Sequence, residues 1–243
     1  MNVAITELTG HRVVVGVDGS DTTLCAVEWA VREAHRRGVG LHIMHAAPYL
    51  RGAADSPEQR RARAILALGY TVAHRAAPEL PVATELVEGA PAEVLVGASE
   101  TAVLLVLGMV GTGAVDEIVL GSVALDVSGR ARSPVVVVRG RPRPDPDNGP
   151  VLVGVGTDSD DDPAIGFAFD AAQRRGVELL AVHVRGALSR LAGDRTDRQV
   201  EHSLLSERLA GWQRRYPAVK VAPCCSTARA QWPWCAPMWR PYR

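Results

Sequence analysis

Apolar and polar positions alternate with two different periods in the first part of the chain. Residues 13–17 form an apolar, β-branched run that ends at a polar turn, which predicts a buried parallel strand. Alanines at four-residue spacing then predict a helix that is capped by Ser20 or Asp21 and ends near Arg37. A second apolar run over residues 41–46 predicts the next strand. The pattern therefore indicates a β-α-β unit.

The same alternation continues to residue 139. We predict helices over residues 57–76, 91–99 and 117–129, and strands over residues 82–87, 102–107 and 134–139. Strands that alternate with helices pair in parallel and are joined by right-handed crossovers. The predicted fold is therefore α/β, an open five-stranded parallel sheet with helices on both faces.

The second half of the chain repeats the first at an offset of 138 residues. Residues 151–155 repeat the opening strand, residues 36–39 recur letter for letter as 174–177, and His45 recurs as His183. A match of this length indicates an internal duplication and predicts a tandem repeat of two similar domains.

Alternating prolines over residues 141–150 predict an extended linker between the two copies. We assign residues 1–140 to the first domain and residues 151–221 to a partial second domain, with its third strand predicted over residues 218–222. Residues 222–243 hold three of the five tryptophans but no glycine and no acidic residue. This tail is atypical for an α/β unit. A shifted reading frame is one hypothesis for it, and a genuine, poorly ordered extension is another.

Composition excludes several function classes. The chain of 243 residues is 47% hydrophobic and 22% charged, which excludes a wholly disordered protein. Its formal net charge is zero, so no global positive field favours nucleic acid or an anionic membrane. The longest apolar run, residues 102–107, is too short to span a bilayer, and residues 1–10 do not resemble a signal peptide. We therefore expect a cytoplasmic protein that binds neither.

The glycines of the first copy suit a phosphate ligand. Ligands of doubly wound sheets bind beyond the carboxyl ends of the strands. There, Asp18 follows the first strand, a glycine-rich loop over residues 108–114 follows the fourth, and Gly121 and Ser122 precede the next helix. Glycine lets main-chain amides approach an anion, and a helix start offers unpaired N–H groups. Because Lys220 is the one lysine of the chain, the loop is not a Walker A motif.

Three motifs together resemble a known family. The spacing Gly108-x2-Gly111-x9-Gly121-Ser122, the opening Val-Gly-Val-Asp-Gly-Ser over residues 15–20 and the closing segment over residues 133–139 resemble the ATP-binding domain of the universal stress protein family. The resemblance implies a Rossmann-like sheet that binds ATP, ADP or AMP, with Mg²⁺ accompanying a triphosphate. It also implies a stress-response or signalling role without catalysis and a homodimer formed through residues 134–139.

The resemblance also implies roles for individual residues. Gly16, Val17 and Asp18 would flank the adenosine, and Ala46 would lie near the base. The residues that would hold the phosphates are Gly108, Met109, Val110, Gly111, Thr112, Gly113, Ala114, Gly121, Ser122 and Val123.

One departure from the family pattern changes the expected affinity. Family members commonly carry arginine inside the glycine loop, where this chain has Val110 and Thr112. Charged hydrogen bonds to phosphate are about twice as strong as neutral ones. Losing one or two of them weakens binding by roughly 10- to 100-fold or more. We therefore expect micromolar or weaker ATP binding, or a preference for a less charged adenine nucleotide.

Two alternatives to a nucleotide-binding protein remain at this stage. One is a degenerate family member that acts as a structural or partner-binding dimer without nucleotide. The other is an enzyme, either an ATPase or an adenylating relative, although no general base or pyrophosphate loop is evident in the sequence.

Overall fold

The computed structural model describes residues 11–48, 56–109, 120–139, 148–156, 162–185 and 196–227. The chain divides into two compact units, Met1–Pro144 and Asp145–Arg243.

The described part of the first unit contains one sheet and four helices. In chain order these are β1 (Arg12–Gly16), α1 (Asp21–Arg37), β2 (Leu41–Ala47), α2 (Pro57–Ala76), β3 (Val82–Glu88), α3 (Pro91–Ala98), β4 (Ala102–Gly108), α4 (Ser122–Arg130) and β5 (Val135–Val138). All pairs are parallel, in the order β3-β2-β1-β4-β5. The predicted open five-stranded parallel α/β sheet is confirmed.

Alternating side chains of the strands supply two hydrophobic cores. Val13 and Val15 lie fully buried on the face covered by α1 and α2. Val14, Met44 and Leu105 lie on the opposite face, in a cluster with residues of α3 and α4. Because β1 is buried on both faces, it has the continuous apolar sequence typical of a central parallel strand.

The strand order places a topological switch point at the centre of the sheet. The chain runs outward from β1 to β2 and β3, then returns to β4 on the other side of β1. The loops that follow β1 and β4 therefore diverge at the carboxyl ends of these two strands. This arrangement creates the crevice in which doubly wound folds bind ligands.

Gly108 allows the end of β4 to lie against the start of α1. A Cβ atom at this position would come within 2.9 Å of main-chain atoms of Thr22 and Thr23. Backbone atoms of a helical turn cannot move aside as a flexible side chain can. A residue without a side chain is therefore required at the end of β4.

The structure corrects the predicted start of one helix. The helix predicted over residues 117–129 begins at Ser122, because Gly121 has the extended backbone of an N-cap (φ −58°, ψ 149°). Residues 117–119 lie outside the described residues.

The second unit has a three-stranded parallel sheet among its described residues. Its elements are β6 (Val151–Gly154), α5 (Asp162–Arg175), β7 (Leu179–Arg185), α6 (Thr196–Arg215) and β8 (Val221–Thr227), with the strand order β6-β7-β8. Phe169 stacks on Trp212 and Tyr216 in its core. The third strand predicted over residues 218–222 is present but begins later, at Val221, because Pro217 and Ala218 form a turn after α6, and it runs on to Thr227. Part of the presumed tail thus belongs to β8, and residues 228–243 lie outside the described residues.

The two units share local geometry at positions 138 residues apart. Gly38 and Gly176 end their helices with φ of 65° and 66°. The next amide donates to Ala34 in one unit, at 3.1 Å, and to Ala172 in the other, at 3.1 Å. A left-handed glycine after the last helical turn explains both ends. Their common origin by duplication stays a prediction.

We predict that Gly108→Ala lowers the free energy of unfolding by about 1–3 kcal/mol, because the new methyl group would overlap the α1 main chain. Gly97→Ala is the matched control, since a Cβ there meets no atom within 4 Å and alanine favours a helix by about 0.5–1 kcal/mol. Urea denaturation measures both variants. Equal stability of the two would show that β4 and α1 do not approach as closely as described.

Candidate functional site

Asp18 organises the turn between β1 and α1. Its Oδ1 atom accepts a hydrogen bond from the Ser20 amide at 2.8 Å. The Thr23 hydroxyl lies 3.2 Å from the same oxygen and 2.8 Å from the Ser20 carbonyl oxygen. Ser20 is the N-cap of α1, but its side chain makes no capping bond to the helix. The carboxylate of Asp18 therefore holds the turn that Ser20 was expected to cap.

The same contacts set the charge of Asp18. Partial burial raises the pKa of its carboxyl group, but the hydrogen bonds from Ser20 and Thr23 outweigh burial and hold the pKa below the ordinary value of 3.8. Asp18 is consequently a carboxylate at neutral pH. Because the residue is exposed at the crevice, this carboxylate can also accept hydrogen bonds from a sugar hydroxyl or an amino group.

The two residues just before Asp18 are packed into the interior of the first unit. A Cβ atom on Gly16 would lie 3.1 Å from Leu95 and 3.2 Å from Leu107, so Gly16 is a packing position. The Val17 side chain is only 6% exposed. Gly16 and Val17 therefore present no side chain to a ligand, and both main-chain groups of Val17 are bonded to β2.

Helix α2 covers the outer side of this turn. Gly19 has φ +87°, and a Cβ there would lie 3.0 Å from Ile65 of α2. Gly69 lets α2 approach Ile43 and Val17. The contact of α2 with the site was not predicted. Its signal in the sequence is a pair of glycines, Gly19 in the turn and Gly69 within α2.

The β4 side of the crevice is described up to Met109. The Met109 amide donates to the Val138 carbonyl oxygen at 3.0 Å. It is therefore engaged in the sheet and does not point to a phosphate. Gly108 faces the α1 main chain, as shown above. Val110, Gly111, Thr112, Gly113 and Ala114 lie outside the described residues.

The start of α4 offers main-chain donors that have no partner within the helix. Gly121 caps the helix without a side-chain hydrogen bond, Ser122 is exposed, and Val123 is half-buried. The first N–H groups of a helix have no partner within the helix, and the helix dipole favours an anion there. Since α4 joins two parallel strands, these donors lie at the same edge of the sheet as Asp18.

Two residues at the end of β2 complete the edge. Ala46 is half-buried on the sheet face covered by α3 and α4 and pairs with Val87 in the sheet register. The Nδ1 atom of His45 lies 2.6 Å from the Val17 carbonyl oxygen. This contact ties the end of β2 to the residue just before Asp18.

A separate cavity of about 560 Å³ opens near the amino ends of the strands. His42 and Glu85 line it, and their Nε2 and Oε2 atoms are 3.1 Å apart. Burial lowers the pKa of the His42 imidazole, although Glu85 opposes this effect. The cavity lies at the opposite end of β1 from Asp18, so it is not the predicted crevice.

Comparison with known proteins identifies the family. The model of the universal stress protein family matches residues 10–139. The chain belongs to the universal stress protein family. A universal stress protein of Mycolicibacterium smegmatis is 36% identical over 230 residues, which cover 88% of this chain and 78% of that protein. Rv2005c, a universal stress protein of Mycobacterium tuberculosis, is 38% identical over 87% of this chain and 78% of its own length.

Solved universal stress proteins share the fold. A structure from Archaeoglobus fulgidus DSM 4304 is 17% identical and covers 89% of this chain and 78% of its own, with a TM-score of 0.65. Within the described residues, no helix is long and apolar enough to cross a membrane. The same residues contain no group of three or more His, Cys, Asp or Glu side chains arranged to hold a metal ion.

We predict that Asp18→Ala lowers the free energy of unfolding by about 1 kcal/mol at neutral pH, because the Ser20 amide loses its acceptor at a partly exposed site. Asp18→Asn is the control, since it keeps an oxygen acceptor but cannot ionise. A carboxyl group with a lowered pKa stabilises the fold above its ordinary pKa, and this contribution is lost as pH falls through the folded value. The difference between wild type and Asp18→Asn should therefore shrink below pH 3.8. A difference that is constant with pH would mean that the charge of Asp18 does not stabilise the turn.

Proposed function

We propose that the first unit binds an adenine nucleotide, ATP or a less charged relative, in the crevice between the carboxyl ends of β1 and β4. The observation that carries this proposal is that an exposed, ionised Asp18 and a helix start without a side-chain cap lie at the same edge of the sheet. The carboxylate suits a ribose or an adenine edge, and the helix start suits phosphate. The choice of adenine follows from the family motif.

The residues present fit such a ligand in part. Asp18 and the first turn of α4 offer an acceptor and several donors, whereas the Met109 amide is already bonded within the sheet. No arginine stands at Val110 or Thr112 to strengthen the phosphate contacts. We therefore propose micromolar or weaker binding of ATP. Mg²⁺ would accompany a bound triphosphate, as the family motif implies.

We further propose that the protein acts in the cytoplasm as a stress-response or signalling protein and has no catalytic reaction of its own, or hydrolyses ATP very slowly. The competing function is a partner-binding dimer that holds no nucleotide, which the missing arginines favour. Adenine nucleotide that co-purifies with the protein supports the first function, and its absence supports the second. Release of phosphate in a single turnover would indicate an ATPase instead.

We predict that Gly121→Glu abolishes nucleotide binding, because a carboxylate at the start of α4 would occupy the phosphate position and repel the anion. Gly129→Glu is the matched control, since it adds the same charge near the end of the same helix, where a Cβ meets no atom within 4 Å. Isothermal titration of the full chain with ATP, ADP and AMP measures the effect. Unchanged affinity of Gly121→Glu would place the phosphates elsewhere, and nanomolar ATP binding by the wild type would contradict a weak site.

We also propose a homodimer formed through β5. Among the described residues, β5 has β4 as its one neighbour in the sheet. The carbonyl oxygens of Pro134 and Val138 accept from Leu105 and Met109 of β4. Since main-chain groups alternate along a strand, the N–H groups of Val135 and Val137 point to the outer edge. Unpaired edges of this kind pair with other strands.

We predict that Val137→Pro converts the dimer to a monomer, because proline removes an outward N–H group and leaves the bonds to β4 in place. Val137→Thr is the control, since threonine keeps the N–H group and favours a strand. Light scattering measures the mass of each variant, and circular dichroism reports whether it is folded. A monomeric wild type would rule out the dimer.

A further inference from the structure

One side-chain contact recurs at the same place in both units. The Nδ1 atom of His45 lies 2.6 Å from the Val17 carbonyl oxygen, and that of His183 lies 2.8 Å from the Val155 carbonyl oxygen. A carbonyl oxygen can only accept, so Nδ1 carries the proton in both rings. Each imidazole thus ties the end of the first strand of its unit to the second strand.

The imidazole stands where the ladder of main-chain bonds stops. The last main-chain bond between β1 and β2 runs from the Val17 amide to the Met44 carbonyl oxygen, at 2.9 Å. In a regular parallel ladder the next donor would be the Ala46 amide. Within the described residues the His45 ring takes that place, so β1 and β2 can part at their carboxyl ends while the Val17 carbonyl stays bonded.

This bond fixes the direction of the next amide. No cis peptide bond occurs among the described residues, so the Val17 carbonyl and the Asp18 N–H belong to one planar trans unit and point in opposite directions. The carbonyl is held toward β2. The Asp18 N–H therefore points away from β2, on the side of its own carboxylate, which it contacts together with the Ser20 amide.

We propose that His45 is a positioning residue for nucleotide binding, which fixes the Val17–Asp18 peptide so that the Asp18 N–H and carboxylate face the ligand together. The inference rests on the proposed nucleotide function. The second unit provides an internal comparison, because His183 makes the same bond just before Gly156, which stands where the first unit has Asp18. A histidine that only stabilises the fold would have the same effect in both units.

The test compares His45→Leu with His183→Leu in the full chain. Both variants lose one partly buried hydrogen bond, so both should be less stable toward urea. Only His45→Leu should weaken the binding of AMP and ATP in isothermal titration, by about tenfold or more. The affinity of His183→Leu for both nucleotides should stay within about twofold of wild type. That change in affinity is smaller than the loss of one hydrogen bond to the ligand would cause. His45→Asn should restore most of the affinity, because its amide nitrogen can donate from nearly the position of Nδ1, whereas His45→Gln should not.

A second readout does not depend on nucleotide. Carbon-13 NMR follows the titration of the Asp18 carboxyl group, and its pKa should rise toward the ordinary value in His45→Leu and stay unchanged in His183→Leu. If the wild type binds no adenine nucleotide, the proposed function fails and this titration still decides the role of His45. Wild-type affinity together with an unchanged Asp18 pKa in His45→Leu would overturn the inference. If His45→Leu does not fold, the affinities and Asp18 pKa values of His45→Asn and His45→Gln are compared instead. Equal values in these two variants would overturn the inference.

Discussion

The approach of β4 to the first turn of α1 is the constraint on which the candidate site depends. A Cβ atom on Gly108 would come within 2.9 Å of the α1 main chain, so the two elements are as close as their backbones allow. The contact fixes where α1 begins relative to β4. It thereby fixes how far the Asp18 turn lies from the loop that follows Gly108. A wider spacing would separate the acceptor of the first loop from the donors that follow the fourth strand.

Most of the first unit could be predicted from its sequence, because the signals there are local. Continuous β-branched runs indicate buried parallel strands, and Gly38 marks the end of a helix by its left-handed backbone. The start of α4 was predicted too early because a capping glycine resembles any other glycine in a loop. The start of β8 was predicted too early because Pro217, which lies in the turn after α6, is followed by apolar residues that resemble the beginning of a strand.

The candidate site was predicted less completely than the fold, because its residues act through contacts between distant elements. Asp18 was recognised from its place after β1, and its bond from the Ser20 amide is a local contact that an Asp in a turn commonly makes. Gly16 and Gly108 were assigned to ligand approach, whereas their missing side chains make room for Leu95 and for the α1 main chain. The role of α2 depends on Ile65, which lies more than forty positions from Gly19. Such pairings become visible only in three dimensions.

The opening strands of the two units have similar sequences and different surroundings. β1 has neighbours on both sides, whereas among the described residues β6 pairs with β7 alone. Val14 is 4% exposed, and Leu152, at the corresponding position, is 55% exposed. Main-chain protons are released to solvent at rates set by local opening. The amide protons on the outer side of β6 should therefore exchange with deuterium long before those of β1. Two strands of similar sequence would thus differ in how slowly their amide protons exchange.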